Sequence, residues 1–110
     1  LEKPKQYGRI IRNNEGELMR ICEAKDCTSD ELKINEINSG IYCFENNLLF
    51  DALKSIDTNN AQKEFYLTDV MEILQKKEKH TIAYCIDNNN EILGVNTISE
   101  LEALSKLIPQ

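Results

Sequence analysis

The stretch Glu36-Ile37-Asn38-Ser39-Gly40-Ile41-Tyr42-Cys43-Phe44 sets the reading of the whole chain. Polar side chains come first, then a glycine, then a β-branched and aromatic run, the composition of a strand with polar chemistry at its entrance. Gly40 marks a point of close backbone approach. Asn38 carries an amide that both donates and accepts, so it can select a hydroxyl or acetamido group on a ligand in a way an ion pair cannot. Closing a turn is the other reading of Asn38, and the residues alone leave both open.

Toward the N-terminus, Pro4 ends a short extended lead, and Tyr7-Gly8-Arg9-Ile10-Ile11-Arg12 reads as a strand. Asn13-Asn14-Glu15-Gly16 supplies turn chemistry and Leu18 to Glu23 the returning strand, so an antiparallel hairpin is predicted. Its far end brings Glu23 back to Gly8 and sets a carboxylate beside a backbone amide. A solvated strand-end glutamate is the alternative for Glu23. Thr28-Ser29-Asp30-Glu31 has the form of a capping box, predicting a short helix through about Lys33 that leads into the central strand.

Toward the C-terminus, Asn46 and Asn47 can cap a helix whose Leu48, Leu49, Ala52, Leu53 and Ile56 recur at helical spacing. Each aliphatic side chain fully buried there contributes about 1.5–3 kcal/mol. After a loop at Asp57 to Asn60, a second helix is predicted from about Tyr66 to Lys77, with Leu67, Val70, Met71 and Leu74 on one face. Thr81 to Ile86 reads as a strand and Asp87 to Asn90 as a polar turn. Thr97-Ile98-Ser99-Glu100 is a second capping box, opening a helix with Leu101, Leu104 and Leu107. Asn96 stands just before it, where free N–H groups and the helix dipole favour a phosphate or a phosphate-bound metal, and its amide oxygen can ligate Mg²⁺. A plain cap-region asparagine is the alternative.

With 110 residues, 41% hydrophobic and 29% charged, the chain suits one compact soluble domain. No apolar run approaches the roughly 20 residues that span a bilayer, and Leu1 to Ile10 is too polar for a signal peptide, so no membrane partner and a cytoplasmic setting are expected. A formal charge of −6 argues against nucleic acid as a partner. Cys22, Cys27, Cys43 and Cys85 lack paired CxxC spacing and read as buried free thiols. The single histidine, His80, follows Lys76, Lys77 and Lys79 near a helix end, which makes a His-based triad improbable. Opening at Leu1 without an initiator methionine suggests a processed or excised piece.

Five segments, taken together, carry a resemblance: Tyr7-Gly8-Arg9-Ile10; Glu23-Ala24-Lys25-Asp26; Glu36 to Tyr42; Asn60-Ala61-Gln62 with Glu64 to Val70; and Leu93-Gly94-Val95-Asn96. In order and spacing the chain resembles the sugar-nucleotide pyrophosphorylases, above all the uridyltransferase domain of the bacterial bifunctional UDP-N-acetylglucosamine pyrophosphorylases. The resemblance covers nearly the whole chain. It implies an α/β fold: part of a Rossmann-like nucleotidyltransferase domain, with a mixed sheet, an antiparallel hairpin and about three helices. It further implies that residues 1–110 are the C-terminal part of that domain, without the left-handed β-helix acetyltransferase that follows it in the family.

The implied reaction joins N-acetylglucosamine 1-phosphate to UTP, giving UDP-N-acetylglucosamine and pyrophosphate with Mg²⁺ as cofactor. By the resemblance, Gly8 offers its backbone to the sugar nucleotide, Glu23 bonds the sugar hydroxyls, Asn38 holds the N-acetylated sugar, and Asn96 binds both substrate and Mg²⁺. Gln6, Lys63 and Ile98 depart from the family pattern, which has glycine, glycine and arginine there. Neither the family's glycine-rich UTP loop nor the aspartate that partners its metal-binding asparagine has a counterpart here, so the 110 residues alone are expected not to turn over. Edges uncovered by such a division imply a homodimer. Two other functions stay open: a non-catalytic dimerising or regulatory module, and a pyrophosphorylase of the glucose or thymidylyl type.

Overall fold

The computed structural model describes residues 4–108. The hairpin forms as expected: β1 (Arg9–Arg12) and β2 (Leu18–Cys22) run antiparallel, with Arg9 opposite Cys22 and Ile10 opposite Ile21. Its turn is built by Asn13, whose Oδ1 accepts from the amides of Glu15 and Glu17, both at 2.9 Å, and by Gly16 at φ 81°. The register slips between Ile11 and Arg12, a bulge next to the turn.

Three eight-residue helices follow: α1 (Asn46–Leu53), α2 (Asp69–Lys76) and α3 (Ile98–Ser105). α2 is the keystone. Its Met71 packs with Ile10, Leu18 and Ile21 of the hairpin, while Val70 and Leu74 pack with Ala52 of α1. Val70 is 0% exposed, and Phe44 leans on both clusters.

Local signals translated closely. At Thr28 the capping box is reciprocal: Glu31 N donates to Thr28 Oγ1 at 3.2 Å, and Thr28 N donates to Glu31 Oε1 at 2.9 Å, opening a 3₁₀ turn at Glu31–Lys33. At α3, Glu100 N donates to Thr97 Oγ1 at 3.1 Å, and Glu100 Oε2 takes the amide of Asn96 at 2.9 Å. The cap of α1 is Glu45, not Asn46 or Asn47, because its carboxylate accepts from the amides of both Asn47 and Leu48. α2 begins at Asp69, later than expected. The residues from Tyr66 form a tighter turn first, with Asp69 N and Val70 N each donating three residues back at 3.1 Å.

The expected mixed sheet does not form: among the described residues the sheet has two strands. The central stretch pairs only briefly with β1, through an isolated bridge of Arg9 with Ile37 and through Ile10 N to Glu36 O (3.0 Å) and Asn38 N to Gly8 O (2.8 Å). Gly40 is not a point of close approach, since a Cβ there would meet open space; its φ of 80° turns the chain away, and Ile41 to Phe44 forms no ladder. Thr81 to Ile86 likewise forms no strand, and Ile82 and Tyr84 are exposed. Strand composition needs a neighbouring strand to accept its hydrogen bonds, and neither segment has one among the described residues.

The cysteines are free, but Cys43 and Cys85 are exposed rather than buried, because they lie on these unladdered segments. Cys22 is buried and Cys27 half-buried; burial above all pushes the Cys27 thiol up to about 12. Leu101 of α3 and Leu107 just beyond it are exposed, while Leu104 is half-buried. One side chain ties several segments together: Arg12 grips both oxygens of Glu36 at 2.7 and 2.8 Å and also donates to the carbonyls of Gly16 (2.8 Å) and Ala83 (3.0 Å). No helix among the described residues is long and apolar enough to cross a membrane.

Candidate functional site

Gly8, Glu23 and Asn38 meet at the open end of the hairpin. Gly8 is buried, and a Cβ there would lie 3.3 Å from the carbonyl oxygen of Cys22 and 3.7 Å from Cβ of Asn38, so a side chain would require the Cys22 carbonyl to give by a few tenths of an ångström. Its carbonyl accepts the amide of Asn38, which ties the central stretch to the hairpin base.

Asn38 does close a turn, since its Oδ1 accepts from Gly40 N at 3.1 Å. The other half of its amide donates from Nδ2 to Tyr42 Oη at 2.7 Å. Tyr42 Oη, having accepted that bond, keeps its own O–H to donate. Burial raises the phenol above its ordinary value; the bond from Asn38 lowers it, and the negative charge of Glu23 raises it further. Tyr42 is therefore a neutral donor at pH 7, held between Asn38 and a nearby carboxylate.

Glu23, half-buried, is steadied from behind by Thr68, which is 5% exposed and donates from Oγ1 to Glu23 Oε1 at 3.1 Å. Two neighbouring contacts hold the 60–66 loop in place: Asp26 Oδ1 accepts from Ala61 N, 35 residues away, at 2.7 Å, and within the loop Gln62 Nε2 donates to Tyr66 Oη at 2.8 Å. The area is acidic. Burial raises Asp69 above the usual carboxylate value, helped by Glu72, Asp57, Asp26 and Glu23.

A cleft of about 530 Å³ opens beside this group, with Asn38 and Tyr42 in a wall that is otherwise mostly apolar, including Ile37, Met71 and Ile82. Asn96 is not brought into it. It is exposed and lines a second cleft of about 570 Å³ with Tyr7, Gly94 and Leu104. Tyr7 joins the two regions, because its Oη accepts from Gly94 N at 2.6 Å while the next residue is Gly8.

Mg²⁺ demands a near-octahedral shell of oxygens. Asn96 offers one amide oxygen, and the carboxylate beside it, Glu100, already receives the amide of Asn96. This donor set does not by itself fit a bound Mg²⁺. Sequence reasoning passed over Tyr42 and Thr68. The signal for Tyr42 was its place four residues after Asn38; Thr68 became visible only once α2 was seen to cross behind Glu23.

No family model matches the chain. It is 54% identical over 93 residues to the bifunctional protein GlmU of Lactobacillus helveticus, covering 84% of this chain and 20% of that protein. It is 48% identical over 109 residues to GlmU of Clostridium tetani, covering 96% of this chain and 24% of the relative. With GlmU of Halalkalibacterium halodurans the identity is 52% over 96 residues, covering 87% and 21%. The chain is thus a homologue of one segment of the bifunctional GlmU proteins, spanning a fifth to a quarter of their length, as its five motifs indicated.

Proposed function

We propose that this chain supplies the sugar-facing wall of a sugar nucleotidyltransferase, the C-terminal part of a Rossmann-like domain that makes UDP-N-acetylglucosamine and pyrophosphate in the cytoplasm. The observation that carries this reading is 46–54% identity to GlmU proteins across most of the chain. In the proposed reaction a phosphate oxygen of N-acetylglucosamine 1-phosphate bonds to the α-phosphorus of UTP, and the bond to the bridging oxygen breaks to release pyrophosphate. Such chemistry is mainly positioning and charge neutralisation.

This chain's part is to position. Glu23, anchored by Thr68, accepts from sugar hydroxyls. Asn38 and the O–H of Tyr42 face the acetamido group, and Gly8 offers its backbone to the sugar nucleotide. The proposal keeps Mg²⁺ as cofactor of the whole reaction and Asn96 as one of its ligands, the remaining oxygens coming from outside this set of residues. It follows that the 110 residues alone make no product.

An NMR titration of the labelled chain tests the reading. UDP-N-acetylglucosamine should give saturable shifts at Gly8, Glu23, Asn38 and Tyr42, with weaker binding of UDP-glucose. A well-folded sample that shows no shifts overturns the sugar wall, equal binding of the two overturns the N-acetyl preference, and Mg²⁺-dependent synthesis by the pure chain overturns its predicted inactivity. The competing reading, a non-catalytic dimerising module, is favoured by Leu101 and Leu107, exposed on and just after α3, and a stable dimer without ligand response would establish it.

A further inference from the structure

We propose that Cys22, Cys27 and Glu31 form a binding site for a single thiophilic divalent cation of the Zn²⁺ class. The two Sγ atoms and a carboxylate oxygen of Glu31 all lie within 4.8 Å of one another. The spacing of four residues between the cysteines hides this in the sequence. Ala24–Asp26 coils into a 3₁₀ turn that returns Cys27 to the end of β2, where its thiol donates to Cys22 O at 3.5 Å.

The third ligand is held ready. Glu31 receives the amide of Thr28 at 2.9 Å and an ion pair from Arg20, so its carboxylate is oriented by two outer partners, as metal-binding carboxylates commonly are. Cys22 Sγ stands 3.9 Å from Glu31 Oε1. Tetrahedral Zn²⁺, with bonds of about 2.3 Å to sulfur and 2.0–2.2 Å to oxygen, separates its ligands by about 3.5–3.8 Å. The trio therefore needs to contract by at most about 1.3 Å, with water completing the shell.

A second observation points to missing negative charge. Arg9, paired with Cys22 across the hairpin, is 3% exposed. Its guanidinium rests on the carbonyls of Tyr7, Lys5 (3.1 Å) and Leu32 (3.4 Å), its Nε has no partner, and no carboxylate pairs with it among the described residues. A buried cation so placed is costly without an anion. On binding, the two thiols lose their protons to solvent and form two metal–sulfur bonds. Two thiolates, one carboxylate and a divalent ion leave one net negative charge beside Arg9 and Arg20.

The test uses the full chain carrying Cys43→Ser and Cys85→Ser, which removes the exposed thiols, kept reduced, with Co²⁺ as the probe. One equivalent should give thiolate-to-cobalt charge-transfer absorption and the visible bands of tetrahedral Co²⁺, both bleached by Zn²⁺. Adding Cys27→Ser should abolish the charge-transfer spectrum with circular dichroism unchanged. Glu31→Gln should weaken binding at least as much as loss of an outer partner, about 10–100-fold. An octahedral spectrum without thiolate absorption, or a thiolate band that survives Cys27→Ser, overturns the site.

Discussion

Replacing Val70 by alanine tests the claim that α2 joins the two halves of the core. Val70 is 0% exposed and packs with Ala52 and Leu74. The substitution removes two buried carbons, about 1.6 kcal/mol of transfer free energy at about 0.8 kcal/mol each. The space left, about 50 Å³, adds about 1.2 kcal/mol if the surroundings do not collapse. A loss of about 2–3 kcal/mol is expected from a total in the range of about 5–15 kcal/mol. In urea, with a slope of about 1–3 kcal/mol per molar, that moves the midpoint down by about 0.7–3 M at unchanged slope. Leu101→Ala is the matched control: Leu101 is 55% exposed on α3, and its loss should shift stability by no more than about 0.5 kcal/mol. Equal midpoints for the two variants would refute the assignment of α2 as the keystone.

Three further outcomes follow from the same structure. Gly8→Ala should lose about 1–3 kcal/mol, because the new Cβ would press on the Cys22 carbonyl at 3.3 Å; an unchanged melting temperature would show that the hairpin base yields freely. Asp69 has a folded pKa above its ordinary 3.8, so the stability its neutral form contributes is present below that value and lost as pH rises through the folded pKa. Asp69→Asn should accordingly raise the melting temperature at pH 7 and make less difference below about pH 4; a gap independent of pH would contradict the acidic surroundings described for it. The apolar side chains exposed at Ile41, Ile82, Tyr84 and Leu101 should drive self-association, so sedimentation equilibrium should give a mass that rises with concentration, against a constant monomer if they do not.

Features written within a few residues were legible from the sequence. The Asn13 turn and the Thr28 and Thr97 caps are closed by side chains two to four positions away, and each forms with little change. The glycine that the family pattern places at position 63 has a local cause too: Lys63 adopts φ 53°, a left-handed conformation a glycine takes without strain. The strands at 41–44 and 81–86 were misread because composition reports a taste for pairing, whereas a ladder needs a partner elsewhere in space. For the site, the meeting of Gly8 with Glu23 followed from hairpin symmetry. Thr68 behind Glu23, Tyr42 beside Asn38, and the approach of Cys27 to Cys22 depend on how distant or coiled segments pack, and sequence spacing does not encode that.

The fourfold grip of Arg12 bears on how the molecule comes apart. Its guanidinium joins the hairpin turn, Glu36 and the carbonyl of Ala83, and the 81–86 segment has no ladder of its own. Release of that one side chain frees three stretches together, so amide protons near Glu36 and Ala83 belong to one opening unit and exchange at correlated rates, well before those of α2 at the centre of the core.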